Sequence, residues 1–501
     1  MGGTTLFNLL RVPPAAQVPR YARDDMDFKE LVDLAAQRLG GAVLSATDDF
    51  FAPKENLLKA EKPLWKEHEY TERGKWMDGW ESRRKRVPGH DHAIIRLGLP
   101  GVVRGVVVDT SYFRGNFPSH CSIEACFAPP ETQPDALTDW IEVLAKSELK
   151  GDTENLFPIE NPHALTHLRL HIFPDGGVAR LRVHGEVVPE WRREGGLDEE
   201  QDLAAVEHGG QVLTCSDMFF GPKHNLIMPG PSRGMSDGWE TRRRRGPGND
   251  WVVVELGAEA FVRRIEVDTA FFKGNYPDTC SIDGDGDEIL PRTKLLPDTR
   301  HTFIEELNAV GPVKKIKLNV YPDGGVARLR VYGIATENAR WTEVARRINT
   351  RVRALAEAEL GSCCGASEWV RQMMASRPFA AGSELLAAAE SIWWELDPPD
   401  WHEAFAAHPR IGEKPSSSWA REEQAGATTA SKNVMQSLAQ VNNDYEKKFG
   451  YIFIICATGK GADEMLATAQ RRMQNAPDQE LRIAAEEQLK ITKLRLMKLV
   501  A

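Results

Sequence analysis

At 501 residues, 42% apolar and 27% charged, the chain has the composition of a globular protein and the length of roughly three domains. Its net charge of −10 argues against general nucleic-acid binding, and no apolar run approaches the ~18 residues of a membrane span. Seven cysteines with no Cys-x-x-Cys spacing argue against both a disulfide framework and a zinc–thiolate site.

From the N-terminal end, the chain says one thing twice. Thr47-Asp48-Asp49-Phe50-Phe51 returns as Ser216-Asp217-Met218-Phe219-Phe220, and Asp78-Gly-Trp-Glu-Ser-Arg-Arg as Asp237-Gly-Trp-Glu-Thr-Arg-Arg. Val108-Asp109-Thr110, followed by Gly115-Asn116-Phe117-Pro118, returns as Val267-Asp268-Thr269 with Gly274-Asn275-Tyr276-Pro277. Pro174-Asp-Gly-Gly-Val-Ala-Arg-Leu-Arg-Val returns from Pro322. The offset falls from 169 residues (Asp48 to Asp217) to 159 (Asp78 to Asp237) and 148 (Pro174 to Pro322). The second copy is therefore shortened at two places, matching Glu61–Lys75 and Ala128–Leu149 of the first, as surface loops tolerate. The unit is far longer than the ~20–50 residues of a solenoid repeat, so two copies of a folded module are expected.

Inside each copy the period is two. Leu168, Leu170 and Ile172 alternate with His167, Arg169 and His171; Ile316, Leu318 and Val320 alternate with Lys315, Lys317 and Asn319. Short β-branched runs between Pro-Asp-Gly-Gly and Gly-Asn-x-Pro turns predict antiparallel sandwiches. The Phe-Phe pairs and Trp80 and Trp239 are most simply packing residues, and Cys121 and Cys280 small buried strand residues. The arginine clusters at Arg83, Arg84, Arg86 and Arg242 to Arg245 are candidate binding places for small anions. The polar positions Asp109, Thr110, Asn116 and Glu124, with Asp268, Thr269, Asn275 and Asp283 opposite them, sit where strands enter loops, the usual place for chemistry, although Asp and Asn also form turns. His167, Arg169 and His171 share one strand face. Such histidines can bind a metal or simply line an exposed polar face, and the spacing does not decide between these.

These four motifs, recurring in order in both copies over about residues 20–335, resemble allantoicase. The resemblance implies two tandem galactose-binding-like jelly-roll sandwiches, over 20–188 and 207–336, and hydrolysis of allantoate to ureidoglycolate and urea. A planar arginine suits the substrate carboxylate, and breaking the carbon–nitrogen bond requires a general acid/base. On those requirements the candidates are Asp109, Glu124 and His167 for catalysis, and Asn116, Arg169, Arg180 and Arg182 for binding. No metal ligands are assigned, and a divalent metal for this reaction stays open.

After Gly333 the pattern turns helical. Trp341, Val344, Ile348, Val352 and Leu355 step by three and four, and further amphipathic stretches follow at 367–377, 383–394, 430–449, 462–475 and 479–500. An all-α domain over 338–501 is predicted. A lone His408-Pro409 has a plain explanation as a helix end stopped by proline. In combination, however, Arg377-Pro-Phe, His408-Pro409-Arg-Ile-Gly, Glu423-Gln424-Ala-Gly and Lys448-Phe-Gly-Tyr-Ile-Phe-Ile-Ile resemble 2-oxo-4-hydroxy-4-carboxy-5-ureidoimidazoline (OHCU) decarboxylase. That resemblance implies cofactor-free decarboxylation to S-allantoin, with His408 as catalytic residue paired with Glu423. Pro409, Gln424, backbone amides around Ile452 and Ile454, and Arg495 would bind substrate. Ala420 stands where relatives often have serine.

The expected whole is a bifunctional enzyme of ureide breakdown acting on small molecules, without nucleic-acid or membrane partners. It is expected to be cytoplasmic, since no signal or peroxisomal pattern is seen at either end, and a homo-oligomer that associates with allantoinase. One active and one silent domain, or sandwiches that only bind ligand, are the rival readings.

Overall fold

The computed structural model describes residues 27–191, 195–408 and 432–501. Each copy is built on one 19-residue strand, Asp91–Asp109 or Asp250–Asp268. In the first copy the strand order is Val32–Asp33, Arg180–Val187, Asp91–Asp109, Ala164–Phe173, His120–Cys126, Ile141–Glu148, all antiparallel. The long strand works in halves. Its first half pairs with Ala42–Ala46 and with Ala164–Phe173, its second half with Arg180–Val187 and Glu154–Pro158. The second copy repeats this order around Asp250–Asp268. Period-two burial drives the closure into sandwiches: Ala93, Ile95, Val106 and Val108 point into the core with Leu168, Leu170, Leu181 and Val183.

The repeated motifs prove to be a latch. Trp80 and Trp239 are fully buried, and each indole N–H donates to the carbonyl of Asp48 or Asp217 at 2.8 Å. The Asp48 carboxylate accepts from Arg83 N at 2.8 Å and Arg83 Nε at 2.6 Å, and Asp217 does the same with Arg242. Thus Arg83 and Arg242 of the predicted anion patches are already paired to carboxylates. In the Pro-Asp-Gly-Gly turn, Gly176 lies at φ +135°, and a Cβ on Gly177 would stand 1.9 Å from the Phe113 ring. The tryptophans take the core and the Phe-Phe pairs the rim: Phe50, Phe51, Phe219 and Phe220 are exposed, each pair edge to face, with Arg83 over Phe50 and Arg242 over Phe219.

The helical region comprises, among the described residues, Glu337–Thr350, Arg353–Cys363, Ser367–Ala375, Gly382–Glu395, Pro398–Ala406, Lys432–Phe449, Ala462–Arg472 and Pro477–Met497. Thr336 caps the first helix by accepting from Ala339 N. Leu489, Ile491 and Leu496 of the last helix lie in the core. The helices do not hang on a free linker. Trp191 is buried and donates to Glu343 at 3.3 Å, Arg347 and Arg351 bind Glu190 at 3.2 and 2.5 Å, and Leu197 N donates to Val500 O. One continuous apolar cluster runs through both sandwiches and the helices.

Candidate functional site

The residues nominated in the first copy fall into separate groups. Glu124 and Arg169 are register partners on adjacent strands, with Arg169 opposite Ile94 in the first half of the long strand. Glu124 accepts from Arg169 Nη2 at 2.6 Å and pairs with His171 Nε2 at 3.0 Å, while His171 Nδ1 lies 2.9 Å from His90 Nε2. Burial works against the Glu124 carboxylate, but the hydrogen bonds from His171 and Arg169 outweigh it and hold its pKa below the ordinary value. Both nitrogens of His171 are therefore engaged in a hydrogen-bonded chain from His90 to Glu124. Among the described residues no three His, Cys, Asp or Glu side chains converge as a metal-ligand set. His167 shares the strand face of Arg169 and His171 as expected, but lies deeper than they do. It is fully buried against Thr166, and burial lowers its pKa to about 4. Asn116 stands in a loop, donating to Glu81 at 2.7 Å.

Asp109, Arg180 and Arg182 form the other group, at the far end of the long strand. Arg180 is the register partner of Asp109, and Arg182 of Val107. Arg180 is buried and donates to Asp78 Oδ2 at 2.7 Å and to the carbonyls of Asp78 and Glu61, so it also ties down the Asp-Gly-Trp-Glu segment. Asp109 accepts from Ser111 N and Oγ at 2.8 and 2.6 Å. Arg182 donates to the carbonyls of Lys59 and Ala60.

The same construction recurs in the second copy as Asp268, Arg328 and Arg330, and there it borders a cavity of about 330 Å³. Its lining includes Asp202, Glu207, Glu266, Arg300 and Tyr332. Asp202 accepts from Val331 N at 2.9 Å, and burial pushes its carboxyl up to about 6. Sequence reasoning named Asp268 only as a counterpart and missed Arg300, Glu266 and Tyr332. The usable signal is register: Arg300 pairs with Asp268 where Glu154 pairs with Asp109.

In the helical region, His408 closes the Pro398–Ala406 helix end, its amide donating to Phe405 O. Arg495, buried in the last helix, brings Nη2 to 3.5 Å from His408 Nδ1 across 87 residues of chain. Ile452 and Ile454 lie in an irregular segment held from two sides. Phe453 N donates to Asn442 Oδ1 at 2.9 Å, and Arg472 Nη1 donates to Ile454 O at 2.8 Å. Pro409, Glu423 and Gln424 lie outside the described residues.

Comparison with known proteins follows this division. The family model for the allantoicase repeat matches residues 32–188 and 201–336, and that for OHCU decarboxylase matches 349–497. Two relatives described as probable allantoicase are 47% identical over 328 residues (Photobacterium profundum; 62% of this chain, 99% of the relative) and 50% identical over 322 residues (Pseudomonas fluorescens; 61% and 97%). The crystal structure of allantoicase from Saccharomyces cerevisiae is 35% identical and covers 61% of this chain and 96% of its own, with a TM-score of 0.53.

Proposed function

The chain belongs to the allantoicase family and ends in an OHCU decarboxylase domain, and from that premise we propose how a bifunctional enzyme of ureide breakdown divides its chemistry. The sandwiches hydrolyse allantoate: water adds its oxygen to the carbon bearing the two ureido groups, the bond to one ureido nitrogen breaks, and a proton passes to the departing urea. The group carried forward for this step is the strand-end set, Asp109 with Arg180 and Arg182 and its repeat Asp268 with Arg328 and Arg330. The observation that supports it is that this set alone among the nominated groups places arginines and a carboxylate together in both copies. Arginine suits the substrate carboxylate and a carboxyl group supplies the acid/base function. Glu124 with Arg169, and His167, stand apart from it and are not assigned a step.

The helical region decarboxylates OHCU. Arg495, buried beside His408, would hold the carboxylate of the substrate. When the carbon–carbon bond breaks and carbon dioxide leaves, the electron pair stays on the ring carbon and takes a proton from His408. Glu423 would orient that imidazole, and Pro409, Gln424, Ile452 and Ile454 would complete the pocket. The OHCU decarboxylase family works without a cofactor. We further place the enzyme in the cytoplasm, as a homo-oligomer working alongside allantoinase, the ring-opening hydrolase that the two reactions require between them.

The test is crossed. Pure protein should release urea and ureidoglycolate from allantoate, and S-allantoin from freshly generated OHCU. The pair Asp109→Asn with Asp268→Asn should stop urea release and spare decarboxylation, and His408→Asn should do the opposite. Unchanged rates in either variant would remove that assignment. Loss of urea release on chelation, restored by added divalent ion, would assign a metal to the hydrolysis.

A further inference from the structure

The strand-end set occurs twice, but the two copies have diverged around it. The register makes the comparison direct. Opposite the carboxylate, Glu154 in the first copy is Arg300 in the second. Opposite the second arginine, Val107 is Glu266. Ser111, whose hydroxyl and amide both engage Asp109, is Ala270, which offers Asp268 only its amide at 2.8 Å. By the same alignment Leu39 is His208, Glu61 is Gly230 and His184 is Tyr332. In the first copy the carboxylates of Asp33, Glu61, Asp109 and Glu154 lie around Arg180 and Arg182; in the second, Asp202 and Asp268 are kept, Gly230 and Arg300 stand for Glu61 and Glu154, and Glu207 and Glu266 are added, so three arginines and four carboxylates line the cavity. Replacing Glu154 by Arg300 alone changes the local charge by two units.

The second copy also leaves groups unanswered. Among the described residues, Arg330 Nη1 and Glu207 Oε2 are both buried without a hydrogen-bond partner. Both residues line the 330 Å³ cavity, while these two atoms themselves lie closed off beneath its surface. A buried guanidinium N–H and a buried carboxylate oxygen each cost free energy when unmatched, so a turn of either side chain toward a ligand would restore hydrogen bonding. Arg300 approaches Asp268 only at 3.6 Å and keeps much of its guanidinium exposed, free to turn inward. Arg328 is fully engaged with Asp237, Gly230 and Pro231 and acts as the frame. Arg264 binds Glu266 at 2.5 Å and stacks 3.5 Å from the Tyr332 ring, fixing that wall. Arg38 of the first copy reaches across to Asp237 at 2.9 Å, so the first copy buttresses the second copy's frame.

We propose that the second copy, not the first, binds the ureide substrate, with the ligand carboxylate on Arg300 and Arg330 and its ureido N–H groups on Glu207, Glu266 and Asp268. The cavity's chemistry matches a small anion that is rich in N–H donors elsewhere, which describes a carboxylate bearing two ureido groups. Arginines alone would suit any anion, and the interleaved carboxylates select for the donors. Asp202, at the cavity edge 3.4 Å from Arg330 Nε and with its carboxyl pushed up to about 6 by burial, is placed to exchange a proton with the leaving group. This inference rests on the strand-end reading given above.

The experiment is allantoate hydrolysis, followed by urea release in the full-length protein, with Arg300→Ala and Glu266→Gln in the second copy and Glu154→Ala in the first. Circular dichroism and retained OHCU decarboxylation control for folding. Arg300→Ala should raise KM at least tenfold with a smaller change in kcat, and Glu266→Gln should lower kcat/KM by a similar factor. Glu154→Ala should stay within twofold. If Glu154→Ala is as damaging as Arg300→Ala, or Arg300→Ala and Glu266→Gln are without effect, the second-copy site is wrong. The strand-end reading would survive that result provided the Asp109→Asn, Asp268→Asn pair is inactive. If that pair is fully active, both fall.

Discussion

Glu480 is fully buried in the last helix and is predicted to be the residue whose removal most harms the helical region while also disturbing its active site. Its Oε1 accepts from Arg472 Nε at 2.7 Å and from the Tyr445 hydroxyl, and its Oε2 accepts from Asn475 Nδ2 at 2.6 Å. Burial and this carboxylate together keep the Tyr445 phenol protonated. Glu480→Ala would leave Arg472, itself 7% exposed, as an uncompensated buried charge. Breaking one partner of a buried pair costs roughly 3–5 kcal/mol, and the stranded hydroxyl and amide keep the figure near the upper end. For a domain of about 160 residues each kcal/mol lowers the Tm by ~2–4 °C, so the helical transition should fall by about 10 °C. Arg472 also holds Ile454 O, so OHCU turnover should weaken below the transition as that segment loosens. Calorimetry of the full chain with turnover of both substrates tests this, because the sandwiches and urea release should be unaffected. A companion variant, Glu480→Leu with Arg472→Met, removes both charges and should recover most of the Tm. A shift below about 2 °C in Glu480→Ala, or no recovery in the companion, would refute the account of this network as an ion pair held against desolvation.

Three further outcomes follow from named contacts. Burial raises the Asp202 pKa from the ordinary 3.8 to about 6. The native state therefore holds a proton that the unfolded chain has lost between those values, and this group's contribution to stability is lost as pH rises from about 4 to about 6. Asp202→Asn should flatten that slope, gaining on the order of 2 kcal/mol at pH 7 relative to pH 4, as measured by denaturant titration at both pH values. Gly177→Ala drives a Cβ to 1.9 Å from the Phe113 ring and should cost ~1–3 kcal/mol through overpacking, lowering the first thermal transition. Glu190→Ala removes the carboxylate shared by Arg347 and Arg351, and should lower the helical transition in calorimetry while the sandwiches hold; an unchanged helical transition would show that the apolar cluster alone secures the helices.

Much of this architecture was legible because it repeats. A motif present in two copies at domain-sized spacing marks a shared frame, and the latch of Asp48, Trp80 and Arg83 is such a frame. The long strands were not legible. Leu99-Pro100-Gly101 within Asp91–Asp109 reads as a turn, yet the chain continues as strand because its two halves pair with different partners. The helical stretch read from Trp341 to Leu355 is broken at Arg351 and Val352 without glycine or proline, where the Arg351 side chain pairs with Glu190 and Glu359. Asp397-Pro-Pro signals a stop, but its prolines also occupy the first turn of the next helix, where their missing N–H groups cost nothing. Within the candidate sites, His408 and Arg495 could be paired only through resemblance, because the contact spans 87 residues. Arg300 could not be found from motifs at all, as it lies outside every repeated string and is defined only by its strand register against Asp268.

That last point has a general consequence for duplicated folds. Some residues identical in both copies serve the frame: Trp80 and Trp239 donate to backbone carbonyls, and Arg180 and Arg328 donate to backbone carbonyls and to the Asp78 or Asp237 carboxylate. A second copy frees one member of each pair of positions that the frame does not use, and the substitutions of Glu154 by Arg300 and Val107 by Glu266 fall on such positions. Function is then expected where the frame matches and the lining differs, which points to the second copy's cavity. The same logic bears on the fusion to the helical region. The two reactions are not consecutive, since ring opening of allantoin must occur between them, so direct transfer of a product from one site to the other would serve no purpose. A junction made of Trp191, Glu190 and a continuous apolar core fixes the position of the helices without requiring a passage between the sites.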